Sequence, residues 1–457
     1  MPKVINPASG ECIRDVPWHS ADEIERKLAA ARSAFQEWRN YDFVRRGECL
    51  NAVARVLRAD VDRHAALMTE EMGKPVREAR GEVEKTAWCC EYYASHAAQY
   101  LAAETIKSDA TRSWVQYLPL GTVLGILPWN SPYWLAARVF APALMAGNTV
   151  LIKHDAHVPG CALAIEEAFR EAGALDDLLQ TLVIDNDTTA SVLRDKRVQA
   201  VSFTGSTRGG RAIAAIAGEE IKPAVLELGG SDPALVLADA DLAAAVDTIA
   251  SSRFICAGQS CIAAKRILVE ASIYDDFIAA FRARLEGLKV GDPTRTDTDI
   301  GPLARSDLRE ELHRQVRESV AAGARCLLGG ELPDGSGSFY PVTLLADVPL
   351  NAPAFTEETF GPVAAVAAME DVEQALALAN DTDYGLAASV WTTPERGEAL
   401  AKRFEAGQVA INGIVKTDPR LPSGGIKTSG YGRELGAHGI REFVNAQQVW
   451  LGPKRAI

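Results

Sequence analysis

The chain has 457 residues, of which 47% are hydrophobic and 24% charged, enough to bury several cores and, at about 150 residues per domain, to form roughly three domains. Its 61 acidic against 48 basic side chains leave a net charge of −13, which argues against electrostatic binding to nucleic acid or to an anionic membrane. Eight cysteines without a CxxC pair and seven histidines without an HExxH pattern read as reduced thiols in a cytoplasmic protein with no metal site, and the opening MPKVINPASGE lacks the basic-then-apolar pattern of a signal peptide.

In chain order, the first hundred residues place apolar side chains at helical spacing over 22–38, 46–59, 62–72 and 77–99, with Gly73, Lys74 and Pro75 as a stop. TRSWVQY, residues 111–117, alternates as an exposed strand would. The stretch 118–152 is almost uncharged and superficially suits a membrane span, but Pro128, Asn130, Pro132, Arg138 and Pro142 interrupt it; it reads as buried α/β core. Strands are predicted at 122–127, 149–153, 181–184, 200–203 and 224–228, alternating with helices at 135–146, 161–171, 187–195 and 207–217. Gly229-Gly230 marks a boundary. Beyond it the spacing predicts helices at 242–254, 273–288, 307–322, 372–380 and 394–404, strands at 266–269, 363–367, 387–391 and 408–411, and a surface loop at GGELPDGSG, residues 329–337. Such alternation favours mostly parallel, helix-covered sheets. The fold class is α/β: two open α/β domains, a Rossmann-like one and a second one, plus a small β element.

Four places carry chemistry. Cys261 follows Gly258-Gln259-Ser260 in a loop after a helix; taken alone, it is either a small core residue or a nucleophile. Glu227 ends the apolar strand VLELGG, where it either caps a turn or, with its pKa raised by burial, serves as a general base. FTGSTRGG, from Phe203, joins a strand to a helix through glycines; it is a plain tight turn or a pyrophosphate cradle at a helix N-terminus. In PWNSP, Asn130 is held between two prolines at a strand's C-terminal end, as a turn asparagine or as an oxyanion donor.

Together with ETFGP (Glu358 to Pro362) and PSGGIKTSGYGREL (Pro422 to Leu435), these segments resemble, in order, the motifs of the aldehyde dehydrogenase superfamily over essentially the whole chain. EMGKP at Glu71, KHDAHVP at Lys153 and INGIVKTDPRLPSGG from Ile411 look closest to its bacterial succinate-semialdehyde dehydrogenase branch. The resemblance implies a cofactor domain over 1–105 and 121–229, a catalytic domain over 230–435, and oligomerisation segments at 106–120 and 436–457 that form a homodimer or homotetramer. It implies Cys261 as the nucleophile, Asn130 and the Cys261 backbone N–H as oxyanion donors, and Glu227 as the base for thioester hydrolysis. NADP or NAD would lie along Pro128, Trp129, Lys153, Ala156, Gly205, Ser206, Leu228, Glu358 and Phe360. Many NAD-preferring relatives carry a glutamate where Ala156 stands, so NADP is expected to be accepted, unless neighbouring Asp155 takes the glutamate's place. Arg138 matches an arginine that can bind the substrate carboxylate in that branch; the alternative is a helix-surface ion pair. A second arginine of some semialdehyde enzymes is replaced by Ile255. Ser131 and Ser423 replace two phenylalanines, which predicts a wider aldehyde tunnel walled by Tyr133, Trp134 and Phe254 and open to bulkier, even aromatic, aldehydes. Two other readings are a coenzyme A-acylating enzyme, for which the base Glu227 is superfluous, and a catalytically silent scaffold, in which the cysteine, asparagine or glutamate should be lost.

Overall fold

The computed structural model describes residues 3–452; the first two residues of the opening segment and the last five of the 436–457 segment lie outside it. Local chemistry fixes the N-terminal helices. Ser20 and Glu23 form a reciprocal capping box at the start of Ala21–Trp38, and Asp42 caps Phe43–Ala59. Val61–Met72 stops at Gly73, whose φ of 78° suits glycine, and the chain restarts through Pro75 into the long helix Val76–Tyr100.

Phe43–Ala59 and Val76–Tyr100 pack on Pro132–Ala146, which is buried along its whole length. It continues through Pro142, as the helix expected over 135–146 requires; apolar packing on every face outweighs the missing backbone bond. The uncharged stretch is thus two central strands and a core helix, and no helix among the described residues is long and apolar enough to cross a membrane.

One sheet has six strands in the order Gly430–Tyr431, Ala224–Glu227, Val198–Thr204, Thr122–Leu127, Thr149–His154, Leu179–Thr181, parallel except for the first. Gly430–Tyr431 comes from the stretch grouped above with the second domain, yet it edges the first sheet. The chain leaves Thr122–Leu127 in both directions across this sheet, which opens a crevice at the strands' C-terminal ends. Seven strands form the second sheet, in the order Arg325–Leu328, Thr343–Ala346, Val363–Met369, Ala264–Glu270, Asp232–Val236, Ala387–Trp391, Gln408–Ile411. Val444–Leu451 pairs antiparallel with all of Arg112–Pro119, and Glu104–Ile106 lies on the other side of it.

Candidate active site

Cys261 sits beyond the helix Leu242–Phe254, at the end of a turn that three consecutive left-handed residues force on the chain: Cys256 (φ 54°), Ala257 (φ 53°) and Gly258 (φ 74°). Two of these carry side chains, so the turn stores strain and needs anchors. Glu78 accepts from the Cys256 N–H at 2.8 Å. Arg253, fully buried, donates to the carbonyls of Val363 (2.6 Å), Gly361 (2.7 Å) and Gly258 (3.3 Å) and to Thr359. A single guanidinium thus ties the cysteine loop to the Glu358–Pro362 segment. Burial pushes the Cys261 thiol up to about 11, opposed first by Lys265 and then by Arg138.

Asn130 follows the strand Thr122–Leu127. Its amide donates to the Gln259 carbonyl at 3.0 Å, two residues before the cysteine, which leaves a second N–H of that amide for a ligand. Gln259 is in turn fixed by the Ala304 N–H (2.9 Å) and by its own bond to the Cys256 carbonyl (3.1 Å). Glu227 ends its strand 4% exposed. Burial raises its pKa to about 8, against the pull of Arg138 and with the push of Glu434. One of its oxygens accepts from Arg138 at 3.2 Å; the other is buried with no partner in the protein. A buried, half-satisfied carboxylate is what a general base requires.

The cofactor candidates line the other side of the crevice. Ser206 caps the helix Thr207–Glu219 through the Gly209 N–H, and Gly205 is pressed against the Phe203 ring, where a Cβ would collide. The helix start there leaves its remaining first-turn N–H groups facing a glycine that admits close approach of a ligand. Lys153, mostly buried, has no carboxylate within ion-pair distance among the described residues, and burial lowers its pKa. One oxygen of Asp155, Oδ1, accepts from the His157 backbone N–H (3.0 Å) and lies 2.6 Å from its ring nitrogen. The residues present therefore fit a cofactor with a phosphorylated ribose. Glu358 is held by the Gly230 N–H (3.2 Å) and by Lys265 (3.0 Å), while Phe360 meets Trp129 edge to face at 5.8 Å. Leu228 packs under Gly210, with Pro128 and Ala156 half-buried at the rim.

The model of the aldehyde dehydrogenase family matches residues 2–449. The chain belongs to that family. A probable NADP-dependent succinate-semialdehyde dehydrogenase of Synechocystis sp. is 48% identical over 98% of this chain and 99% of its own. The succinate semialdehyde dehydrogenase Sad of Escherichia coli, named for NAD(P), is 46% identical over 98% and 97%. The solved succinic semialdehyde dehydrogenase of Streptococcus pyogenes, in complex with NADP, superposes with a TM-score of 0.97 at 34% identity, covering 99% of this chain and all of that one. This aldehyde dehydrogenase is thus an NAD(P)-dependent oxidoreductase acting on aldehydes, on the α/β fold expected.

Several substrate-side expectations for this aldehyde dehydrogenase need correction. Arg138 makes neither a free carboxylate clamp nor a surface ion pair. It is 3% exposed and held between two carboxylates of the chain, Glu227 and Glu434, with a further bond to the Ser423 hydroxyl at 3.3 Å. Ser423, expected to widen the aldehyde path, is 1% exposed, and its hydroxyl accepts from the Arg138 head. The hydroxyl of half-buried Ser131 accepts from the buried Lys74 at 3.2 Å. Phe254 belongs to the core of the seven-stranded sheet, and Tyr133 is buried against His64 at 2.8 Å; neither walls a tunnel. Trp134 is buried as well, its ring under the Lys85 ammonium. The residues that the sequence reading missed are Lys265, Arg253, Glu78 and Lys85. All are charges in otherwise helical or strand patterns, and only their tertiary contacts single them out.

Proposed function

We propose that the chain oxidises succinate semialdehyde to the dicarboxylic acid with NADP, accepting NAD less well. Cys261 adds to the aldehyde carbonyl, and the second N–H of Asn130 with the Cys261 backbone N–H holds the developing oxyanion. The bound nicotinamide supplies the hydride acceptor. Pro128, Trp129, Leu228 and Phe360 would hold it, Lys153 and the space left by Ala156 would take the phosphorylated ribose, and Gly205 and Ser206 would take the pyrophosphate. Glu227, ionised, draws a proton from the water that cleaves the acyl thioester on Cys261. The observation that carries acid formation is the unpartnered, buried oxygen of Glu227. Transfer to coenzyme A would leave that base without a task, and a silent scaffold would have no reason to keep all three groups. The relatives' names carry the substrate.

We also place the protein in the cytoplasm as a homo-oligomer: all eight cysteines are free thiols, and the outer strands of the three-stranded sheet expose Ile106, Trp450 and Leu451. The test is an initial-rate assay of succinate semialdehyde, butanal and benzaldehyde with NADP and with NAD, with products identified in the presence and absence of coenzyme A. Cys261→Ala should abolish turnover, and Glu227→Gln should accumulate the acyl enzyme. Near-normal turnover by Cys261→Ala, or an acyl-coenzyme A product, would overturn the reading.

A further inference from the structure

The polar groups of one residue, Cys256, meet three different parts of the site. The residue is buried and held at φ 54°, ψ 38°, a left-handed conformation that a side-chain-bearing residue keeps only where its surroundings impose it. Its N–H donates to the Glu78 carboxylate at 2.8 Å. Its carbonyl accepts from Gln259 twice, from the backbone N–H at 3.0 Å and from the side-chain amide at 3.1 Å. Its thiol donates to the Asn130 carbonyl at 3.5 Å.

These bonds close a ring. Asn130 is gripped twice, its backbone carbonyl by the Cys256 thiol and its side-chain amide by the Gln259 carbonyl at 3.0 Å. Gln259 returns to Cys256 through its own N–H. With the backbone and one amide N–H both fixed, the direction of the second amide N–H, the one left for the oxyanion, is fixed as well. A thiol is a weak donor, so its worth here lies in direction rather than strength. One helix carries the ring from outside. Glu78 and Glu82 stand at i and i+4 on Val76–Tyr100 and so share a face. Glu78 takes the Cys256 N–H, and Glu82 takes the N–H groups of Tyr133 (2.9 Å) and Trp134 (3.1 Å), just beyond Asn130. Lys74, paired with Glu82, donates to the Ser131 hydroxyl at 3.2 Å. The segment after Asn130 and the turn before Cys261 are thus bound to the same rigid element, and Cys256 is where they meet.

We propose that Cys256, anchored by Glu78, is a positioning residue for aldehyde oxidation: it acts through Asn130, aiming the second amide N–H at the oxyanion. The proposal rests on the reading of Cys261 as nucleophile and Asn130 as oxyanion donor.

The experiment measures reduced cofactor formed in a single turnover of succinate semialdehyde, with enzyme in excess and NADP saturating, which reports thiol addition and hydride transfer before thioester hydrolysis. Asn130→Ala should slow this step about 100- to 1000-fold, the size of a lost oxyanion donor. Cys256→Ala should slow it about 3- to 30-fold with KM for NADP unchanged, as befits a donor that is present but misdirected. Cys256→Ser, which keeps a donor in place, should recover most of the rate, and Glu78→Gln, which keeps an acceptor, should lose less than Glu78→Ala. A double-mutant cycle decides the matter. Beside Asn130→Ala, neither Cys256→Ala nor Glu78→Ala should slow the step further, because both act through an amide that is gone. A Cys256→Ala rate equal to the parent's, or the same loss in both backgrounds, overturns the proposal. If Cys256→Ala yields no folded protein, Cys256→Ser and Glu78→Ala carry the same cycle, and a Glu78→Ala loss that persists beside Asn130→Ala overturns it equally. An Asn130→Ala variant as fast as the parent removes the oxyanion reading and the proposal with it, while a parent that reduces no cofactor removes the reading of Cys261 beneath both.

Discussion

Two buried cations flank the Cys261 thiol, and their partners separate their roles. Arg138 is neutralised by two carboxylates. Lys265, with no side-chain exposure, donates to the Cys261 carbonyl (2.7 Å), the Gly230 carbonyl (2.6 Å) and Glu358 (3.0 Å), so it meets three segments of the site at once. Lys265→Met should move the pH midpoint for alkylation of Cys261 upward and raise KM for NADP, because thiol and Glu358 lose the same ammonium. An alkylation profile that overlays the parent's would contradict this. Glu227 has its pKa raised, so its basic form appears only as pH climbs through about 8. Thioester hydrolysis in single-turnover experiments should therefore accelerate through that window and flatten above it, whereas in Glu227→Gln it should be slow and flat. At position 156 a carboxylate would face the ribose phosphate, and Ala156→Glu should shift the NADP-to-NAD preference in kcat/KM by at least about tenfold towards NAD, roughly 1.4 kcal/mol. Strict NAD use by the parent would contradict the argument.

Two helices that build the site lack local caps and borrow carboxylates from elsewhere. Ser131 and Val158, at the starts of Pro132–Ala146 and Pro159–Glu171, give no side-chain cap. Glu82 accepts from Tyr133 and Trp134, and Glu71 accepts from the N–H groups of Gly160 (2.9 Å) and Cys161 (3.0 Å) while paired with Arg14. Each carboxylate meets the positive end of a helix dipole in a dry place. Glu82→Gln would leave Lys74 charged and without its partner, a change of roughly 3 kcal/mol or more, and should lower Tm by several degrees; an unchanged Tm would count against tertiary capping. These links explain what the sequence could and could not convey. Elements with local signals are legible: Thr122–Leu127, Leu242–Phe254, Val372–Asn380, Ala387–Trp391 and Gln408–Ile411 fall where periodicity puts them. Asp232–Val236 escaped because Pro233 argues against a central strand; it enters at a register irregularity beside Ala264–Glu270. The strand predicted at 181–184 lies earlier, at Leu179–Thr181, since an apolar run does not specify which of its residues pair. In the site, motif residues were legible as types, whereas the direction of Arg138 and the hold of Glu78 on Cys256 depend on residues far off in the chain.

At the scale of the molecule, the exposed edges beside Glu104–Ile106 and Val444–Leu451 call for a partner. On the proposed homo-oligomeric state, Trp450→Asp should give a smaller species than the parent in sedimentation velocity experiments, with kcat/KM for succinate semialdehyde retained within a few-fold; an unaltered sedimentation coefficient would contradict an interface at this edge. The same pairing has a temporal side. Arg112–Pro119 emerges from the ribosome long before Val444–Leu451, and the six-stranded sheet likewise waits for Gly430–Tyr431. Both closures come after every strand of the seven-stranded sheet has been translated, so these two long-range pairings are completed only at the end of synthesis, after the residues of both large sheets' cores are in place.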